Sequence, residues 1–501
     1  MKVSVVVPVY NPGRDIDDCI RTLLAQSLPA EDYEVIFVDD GSTDATPARL
    51  DALAAEHANV HVEHIPNSGW PGRPRNLGTD RARGDYVLYV DNDDYLGDEA
   101  LERMHAMAVR DDADIVIGKV VGHGKTVPRN LFRRNRTGVD LQWEALVWLL
   151  TPHKLFRRAF LTEHGLRFPE GRRRLEDHVF LMQAYFASPR ISVLADYPCY
   201  HWVLRDRDVN ASWGHLDPRS YFAFLAEVLD VIDEHTEPGP FRDRLYSRWY
   251  RGKMLNRVEK VHSNPDLAHR RALYEAMHDL AVARFPEGVD AFLPFNLQAR
   301  SRLLRAGDYD RLAALAEFET GLRAQARAVA VRDGAVELRA ELAGLRFARD
   351  GERVVWGDER LDATEALAEG TTLQLLLKRR RTQEEYRVPA ETRTELVEEG
   401  DAVRAVVAAT GHVDATTAAG GRPLPRGMWE VHVMVIVAGF RAQGRVRRAR
   451  GSEHLMLAVR DDGRVAERAP GWQRNLRRRT PRRVVKAIRE VQRALRRRAR
   501  G

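Results

Sequence analysis

Short apolar runs, each closed by polar or turn-forming residues, recur through the first third of the chain. Val3 to Val7 is a β-branched run that ends at Pro8, Tyr10 and Asn11. Asp15 to Ser27 then places apolar residues at Ile16, Cys19, Ile20, Leu23 and Leu24, a helical spacing. Val35 to Val38 is a second strand, ending at Asp39-Asp40-Gly41-Ser42-Thr43-Asp44. Thr43 or Asp44 can cap the next helix, which has Pro47 in its first turn. Val60 to Ile65 is a third strand, followed by Asn67-Ser68-Gly69-Trp70-Pro71-Gly72 and Arg73-Pro74-Arg75-Asn76-Leu77-Gly78. Tyr86 to Val90 follows Gly84 and reads as a buried parallel strand. A helix near Asp98 to Arg110 and a strand at Ile115 to Lys119 come next. Strands alternating with helices across short loops predict a doubly wound, largely parallel α/β sheet. Polar residues gather after each strand, so the crevice rule puts Tyr10, Asp40, Asn67 and Asp91 to Asp94 along one sheet edge.

The pattern changes twice beyond that domain. Pro218 to about Glu319 is helical, with Leu225, Val228, Leu229 and Ile232 on one face. Around Ala326 the period becomes two, and Val336–Leu338, Leu373–Leu377, Val403–Val407 and Val431–Val437 predict a C-terminal β-sandwich. The expected domains are 1–215 (α/β), 216–325 (helical middle), 326–468 (all-β) and 469–501 (tail). In the tail, Thr480-Pro481 opens a helix whose Val484, Ile488, Val491 and Leu495 share one face. Such a basic amphipathic helix points to an anionic membrane surface, with nucleic acid the disfavoured rival.

Charge sharpens this picture. The net charge is +6, yet Arg474 to Arg500 alone carries +12, which leaves about −6 on the rest. A mildly acidic body with a basic tail is not a general nucleic-acid binder. Two cysteines, Cys19 and Cys199, exclude a disulfide framework and a thiolate metal site. The sequence presents no signal peptide and no apolar run long enough to span a bilayer, so a cytoplasmic location is the default expectation.

The densest chemistry follows Tyr86–Val90. Asp91, Asp93 and Asp94 crowd the mouth of an apolar strand, where a divalent cation with oxygen ligands would relieve their repulsion. An acidic turn is the plainer reading of that triplet alone. The chain has no G-x-G-x-x-G and no G-x-x-x-x-G-K-[ST], which disfavours a dinucleotide dehydrogenase or a P-loop NTPase.

Together, V-V-V-P-V-Y-N, V-D-D-G-S-T-D, R-N-x-G and V-D-N-D-D resemble the family 2 inverting glycosyltransferases of GT-A fold over roughly residues 1–215. The resemblance implies that Pro8, Tyr10, Asp40 and Asn67 hold the nucleoside, with Asp40 on the base. Arg75 would reach toward base or phosphates, Asp91 with Asn92 would lie near the ribose, and Asp93 with Asp91 would hold Mn²⁺ or Mg²⁺ on the donor diphosphate. The Asn67 segment is longer and richer in proline than the family's usual N-x-G. Asp177, in Leu175-Glu176-Asp177-His178, matches the family's base, with Glu176 as its neighbour. Read locally, the same acids could simply favour a helix start. Arg207 and Ser212 match the segment that closes over the diphosphate, although the His often found near Asn210 is missing.

Arg133, Arg173 and Arg174 suggest an anionic acceptor, since Arg pairs well with phosphate. The full layout resembles bacterial glycosyltransferases that decorate wall teichoic acid. The expected activity is metal-dependent inverting transfer from a UDP-sugar, UDP-GlcNAc or a similar hexose, to a polyol-phosphate polymer by a homo-oligomer. The alternatives are a capsule or exopolysaccharide enzyme with a neutral acceptor, and a non-catalytic nucleotide-sugar-binding scaffold.

Overall fold

The structure is a computed structural model that describes residues 1–205, 217–258, 266–379, 384–418, 423–449, 453–459 and 465–467. Arg207, Ser212 and the basic tail therefore lie outside the described residues. The chain divides into two compact units, 1–293 with 303–309 and 294–302 with 310–501.

The first unit is built on β1 (Val3–Val9), β2 (Tyr33–Asp39), β3 (Val60–His64), β4 (Tyr86–Tyr89), β5 (Tyr95–Leu96), β6 (Ile115–His123), β7 (Arg136–Val139), β8 (Leu155–Arg157) and β9 (Ile191–Val203). The sheet runs β3-β2-β1-β4-β8-β6-β9-β5, with β7 also on β9. β1 pairs in parallel with both β2 and β4, so the chain reverses its direction of travel across the sheet there. β8 is antiparallel to its two neighbours, β4 and β6. Every residue of β1, β2 and β4 is buried, as their continuous apolar runs predict for strands covered on both faces. The covering helices are α1 (Asp17–Leu24), α2 (Thr46–Glu56), α3 (Gly72–Arg81), α4 (Ala100–Arg110), α5 (Arg158–Glu163) and α6 (Glu176–Ala187). Asp44 Oδ1 accepts from Thr46 N–H at 3.0 Å at the start of α2.

α3 has almost no apolar periodicity, and the sequence shows no helix signal there. It forms because Gly78 lets it lie directly on β1: a Cβ at Gly78 would sit 2.3 Å from Val6 Cγ1. Gly78→Ala should overpack this contact and cost about 1–3 kcal/mol. Urea denaturation measures it, and an unchanged midpoint would contradict this account of the helix.

Of the helical middle, α7 (Pro218–His235), α8 (Pro240–Trp249) and α9 (Leu267–Arg284) belong to the same unit as the sheet, whereas 294–302 and 310–325 fall in the second unit. α7 packs on α6, and α9 packs on α7. Asp217 caps α7 by accepting from Ser220 N–H at 2.8 Å, with Pro218 at the first helical position. α8 runs into a π-helical turn at Tyr250–Met254, a local widening often found at functional sites.

The second unit is rich in strands: β10 (Arg323–Arg332), β11 (Ala335–Ala343), β12 (Phe347–Asp350), β13 (Arg353–Trp356), β14 (Leu361–Asp362), β15 (Thr372–Lys378), β16 (Glu385–Val388), β17 (Ala390–Glu399), β18 (Ala402–His412), β19 (Gly427–Val437), β20 (Phe440–Arg447), β21 (Met456–Val459) and β22 (Val465–Glu467). They follow the order β14-β13-β12-β18-β11-β10-β20-β19-β15-β16, with β17 on β18 and β21 on β19. β15 faces β17 and β18, and β11 faces β19, so the path folds into two layers over Trp429, Val431, Val433 and Val435. This is the sandwich that the period-two pattern predicts.

Candidate active site

The ends of β1, β2 and β4 and the segment after β3 open into one pocket of about 290 Å³. Pro8, Tyr10, Asp40, Asn67, Arg75, Asp91, Asn92 and Asp93 all line it, so the structure brings together the described residues expected on the nucleotide side. Backbone and side-chain bonds tie these strand ends together. Asn92 Nδ2 donates to the Pro8 carbonyl at 3.1 Å, and Asn67 Nδ2 donates to the Asp40 carbonyl at 2.9 Å. Gly41 (φ +74°) permits the second approach, because a Cβ there would meet Asn67 N at 2.7 Å. Asp40 accepts from Ser68 N–H at 2.7 Å and from Ser68 Oγ at 2.9 Å. Burial nevertheless raises its carboxyl above the ordinary range. Tyr10 stands half-exposed at the rim.

Asp91 sits between a guanidinium and a buried imidazole. Arg75 Nη2 donates to Oδ1 at 2.7 Å, and His153 Nε2 lies 2.9 Å from Oδ2. Burial alone would raise this carboxyl, but Arg75 and His153 outweigh it and hold Asp91 well below the usual carboxylate range. Asp94 is sealed in, accepting from Tyr200 Oη at 2.8 Å and Val203 N–H at 2.7 Å. Burial, then the charges of Asp91 and Asp93, push it up to about 8. Asp93 is raised by burial and by Asp91, against the opposing pull of Lys125 and Arg205. Ligand atoms of Asp91, Asp94 and His153 all lie within 4.8 Å of one another. His153, stacked on Tyr200 with centroids 4.0 Å apart, is a candidate ligand that no sequence spacing signals.

Arg75 connects this cluster to the second group of acids. It is 4% exposed, lies over the Phe168 ring at 5.3 Å, and brings Nη1 to 3.7 Å from Glu176 Oε1. Its Nε and Nη1 are buried and donate to no protein acceptor. Glu176 and Asp177 open α6 behind Leu175, which adopts a left-handed conformation (φ +64°). A non-glycine residue in that conformation costs about 1 kcal/mol and marks a position held by its surroundings. Burial, then Glu176, pushes the Asp177 carboxyl up to about 7, while Lys253 and Arg75 oppose the rise.

Two of the groups around Asp177, Lys154 and Lys253, went unassigned in the sequence, and the third, His178, reads there as structural or metal-adjacent more than as a base. Lys154 is buried, donates to the carbonyls of Leu149 and Thr151, and is pushed down to about 7 by burial. Lys253, on the π-helical turn, falls to about 8 through burial and Arg248. His178 accepts from Trp249 Nε1 at 2.9 Å and is driven well below its ordinary value by burial, as a neutral structural histidine would be. Lys253 and Trp249 come from the helical middle, which the sequence presents only as a connector. The basic run Arg248 to Lys253 was its one visible sign.

The arginines expected on the acceptor side separate. Arg174 lies at 5.1 Å over the ring of Trp70, which lines the pocket. Arg173 bonds to Glu227 on α7 and lies over Phe224 at 4.7 Å. Arg133 is exposed and does not line the pocket. Cys19 and Cys199 are both buried free thiols. No described helix is long and apolar enough to cross a membrane.

Comparison with known proteins bears on the fold and the class of enzyme. Residues 4–186 match glycosyl transferase family 2, and residues 218–316 match the glycosyl transferase TarS linker domain. The chain is 34% identical over 322 residues to a poly(ribitol-phosphate) beta-glucosyltransferase of Bacillus spizizenii, covering 64% of this chain and 50% of that protein. It is 30% identical over 314 residues to the poly(ribitol-phosphate) beta-N-acetylglucosaminyltransferase TarS of Staphylococcus aureus, covering 62% and 54%. The chain thus spans about half the length of the curated relatives it matches. Crystalline S. aureus TarS 1–349 in complex with UDP-GlcNAc superposes with a TM-score of 0.58 at 28% identity, over 71% of this chain and 99% of that one. A longer TarS crystal structure covers 93% of this chain and 85% of its own at 22% identity, with a TM-score of 0.58, a likeness of fold. Residues 4–186 thus match glycosyl transferase family 2 on a GT-A fold, and the layout beyond them is similar to that of the TarS glycosyltransferase.

Proposed function

We propose that the protein transfers a hexose, with inversion, from a UDP-sugar to a hydroxyl of a polyol-phosphate polymer. The observation that carries this reading is Arg75. A buried guanidinium whose Nε and Nη1 make no hydrogen bond within the protein, Nη1 facing Glu176 at 3.7 Å, lines the pocket between the strand-end acids and the pair at the start of α6. A donor diphosphate supplies the acceptors that these nitrogens lack.

In this reading the acceptor hydroxyl loses its proton to Asp177 as its oxygen attacks the anomeric carbon. The bond from that carbon to the diphosphate oxygen breaks, and the electron pair leaves with UDP. Attack opposite the leaving group inverts the anomeric centre, so an α-linked donor yields a β-linked product. A base near pH 7 is well matched to this proton transfer, and the burial of Asp177 beside Glu176 supports such tuning.

Hard oxygen donors suit a divalent cation, and the acids at the end of β4 fit one: burial and mutual repulsion raise both Asp93 and Asp94. Asp93 and Asp91 on the pocket wall would hold it, with Asp94 and His153 behind them. When bound, the cation would neutralise charge on the leaving diphosphate.

Arg248 and Lys253 beside Asp177, with Arg174 beside Glu176, favour an anionic acceptor over a neutral glycan. The names of the curated relatives support a polyol phosphate. UDP-GlcNAc and UDP-glucose are the donors to try first. We also read the protein as a homo-oligomer that uses its basic tail at the inner membrane face.

The test is UDP release from UDP-GlcNAc and UDP-glucose with poly(ribitol phosphate), with and without Mn²⁺. Release from one donor, stimulated by acceptor and metal and lost in Asp93→Ala, is expected. Release that chelator leaves unchanged would remove the metal from the scheme. No transfer to poly(ribitol phosphate) alongside transfer to a neutral glycan would overturn the acceptor assignment.

A further inference from the structure

The β unit carries a groove of about 610 Å³ whose walls are strongly cationic. Arg327 on β10, Arg339 on β11, Arg404 on β18, and Arg445 and Arg447 on β20 all line it, against only Glu341 and Glu395 among acids. Three of the five arginines are engaged within the fold, Arg327 by donating from Nη1 to the Arg448 carbonyl at 3.4 Å. Arg339 pairs with Glu395 at 2.6 Å, and Arg404 pairs with Glu341 and with Glu399. Arg445 reaches only to 3.7 Å from Glu430, and Arg447 pairs with no carboxylate among the described residues.

The register makes this more pointed. β10 and β20 run parallel, with Arg327 directly beside Arg447 and Ala326 beside Val446. Like charges set side by side in a sheet destabilise it, and nothing in the core requires them, since both side chains are exposed. On β20 the outward positions read Arg441, Gln443, Arg445 and Arg447, all exposed. Alternate residues of a strand stand about 7 Å apart, so the groove presents a row of cations instead of a single anion hole. Its shape and charge suit a chain bearing an anion on every repeat.

We propose that this groove is a second, non-catalytic binding site for the phosphate backbone of the acceptor polymer. The proposal rests on the polyol-phosphate reading of the acceptor. It gives the β unit a function of its own: a polymer bound through several weak phosphate contacts stays with the enzyme between transfers, because each contact raises the effective concentration of the rest. Its chemistry is guanidinium to phosphate, for which Arg is better suited than Lys.

The test uses the full chain and the triple variant Arg327→Ser, Arg445→Ser, Arg447→Ser. Binding of fluorescein-labelled poly(ribitol phosphate) is read by polarisation across a salt series, and turnover is read with long polymer and with a short ribitol-phosphate fragment. The triple variant should bind the long polymer about tenfold or more weakly, with a shallower salt dependence. Its KM for long polymer should rise while kcat and turnover of the short fragment stay as in wild type. Arg447→Glu alone should act in the same direction, and thermal melting checks that both variants are folded.

Wild-type polymer affinity in the triple variant overturns the proposal. If that affinity is accompanied by a changed sedimentation coefficient, the groove is instead a contact between copies of the chain. Equal losses with fragment and polymer also overturn it. Failure of the groove is distinct from failure of the acceptor reading: in the first case wild type still glycosylates the short fragment, and in the second it does not.

Discussion

Asp177→Asn should lower acceptor-dependent transfer by about 10²–10⁴-fold, the usual contribution of a positioned base, and leave UDP-sugar affinity nearly unchanged. Asparagine keeps the shape of the side chain and can still accept from His178 N–H, now 2.9 Å from Asp177 Oδ1. What it cannot do is take a proton. The wild-type pH profile gives an independent view of the same group. A carboxyl pushed up to about 7 is protonated and inactive as a base below that pH. Turnover should therefore rise with pH, pass half its maximum near pH 7, and level off above. Lys253 is among the cations that stabilise the ionised form, so Lys253→Ala should move the midpoint upward. Stopped assays across pH 5–9 read both effects. A loss under tenfold in Asp177→Asn would place the base elsewhere.

Arg75→Met should damage stability and activity together. The guanidinium is the main cation facing Asp91 and also faces Glu176 and Asp177. Without it, carboxylates at two sites are left under-compensated inside the protein. Removing one partner of a buried pair costs about 3–5 kcal/mol. The lower end applies here, because Asp91 is 31% exposed and water can screen it. The Tm should fall accordingly. Transfer should be nearly abolished, since the donor loses a phosphate contact and Asp177 is driven toward its protonated form. Adding Asp91→Asn to Arg75→Met should restore part of the stability and none of the activity. Calorimetric melting of the two variants separates these outcomes. A Tm within experimental error of wild type in Arg75→Met would mean that water, and not Arg75, stabilises these acids.

Much of the pocket was legible because the signals are local. A strand buried on both faces has to be a continuous apolar run, and the polar residue that follows it has to emerge at the sheet edge. Tyr10, Asp40 and Asp91 are placed by that logic alone, and all line the pocket. Helix α3 escaped it because its stability comes from lying on β1 through Gly78, with no apolar stripe of its own. Arg173 was readable as cationic, but its engagement by Glu227 on α7 was not, because that partner lies 54 residues away.

The sequence by itself determined the α/β alternation, the order of the strand-end acids, the sandwich period and the presence of an acid pair at the start of α6. Each is written in neighbouring residues whose spacing the backbone repeat makes meaningful. Only the tertiary structure decided which side chains surround those acids and their neighbours. His153 comes to Asp91 from 62 residues away, and Trp249 reaches His178 across 71. Lys253 acts on Asp177 from the linker helices. These groups adjust the acids through charge and burial, which depend on distance in space and leave no period in the chain.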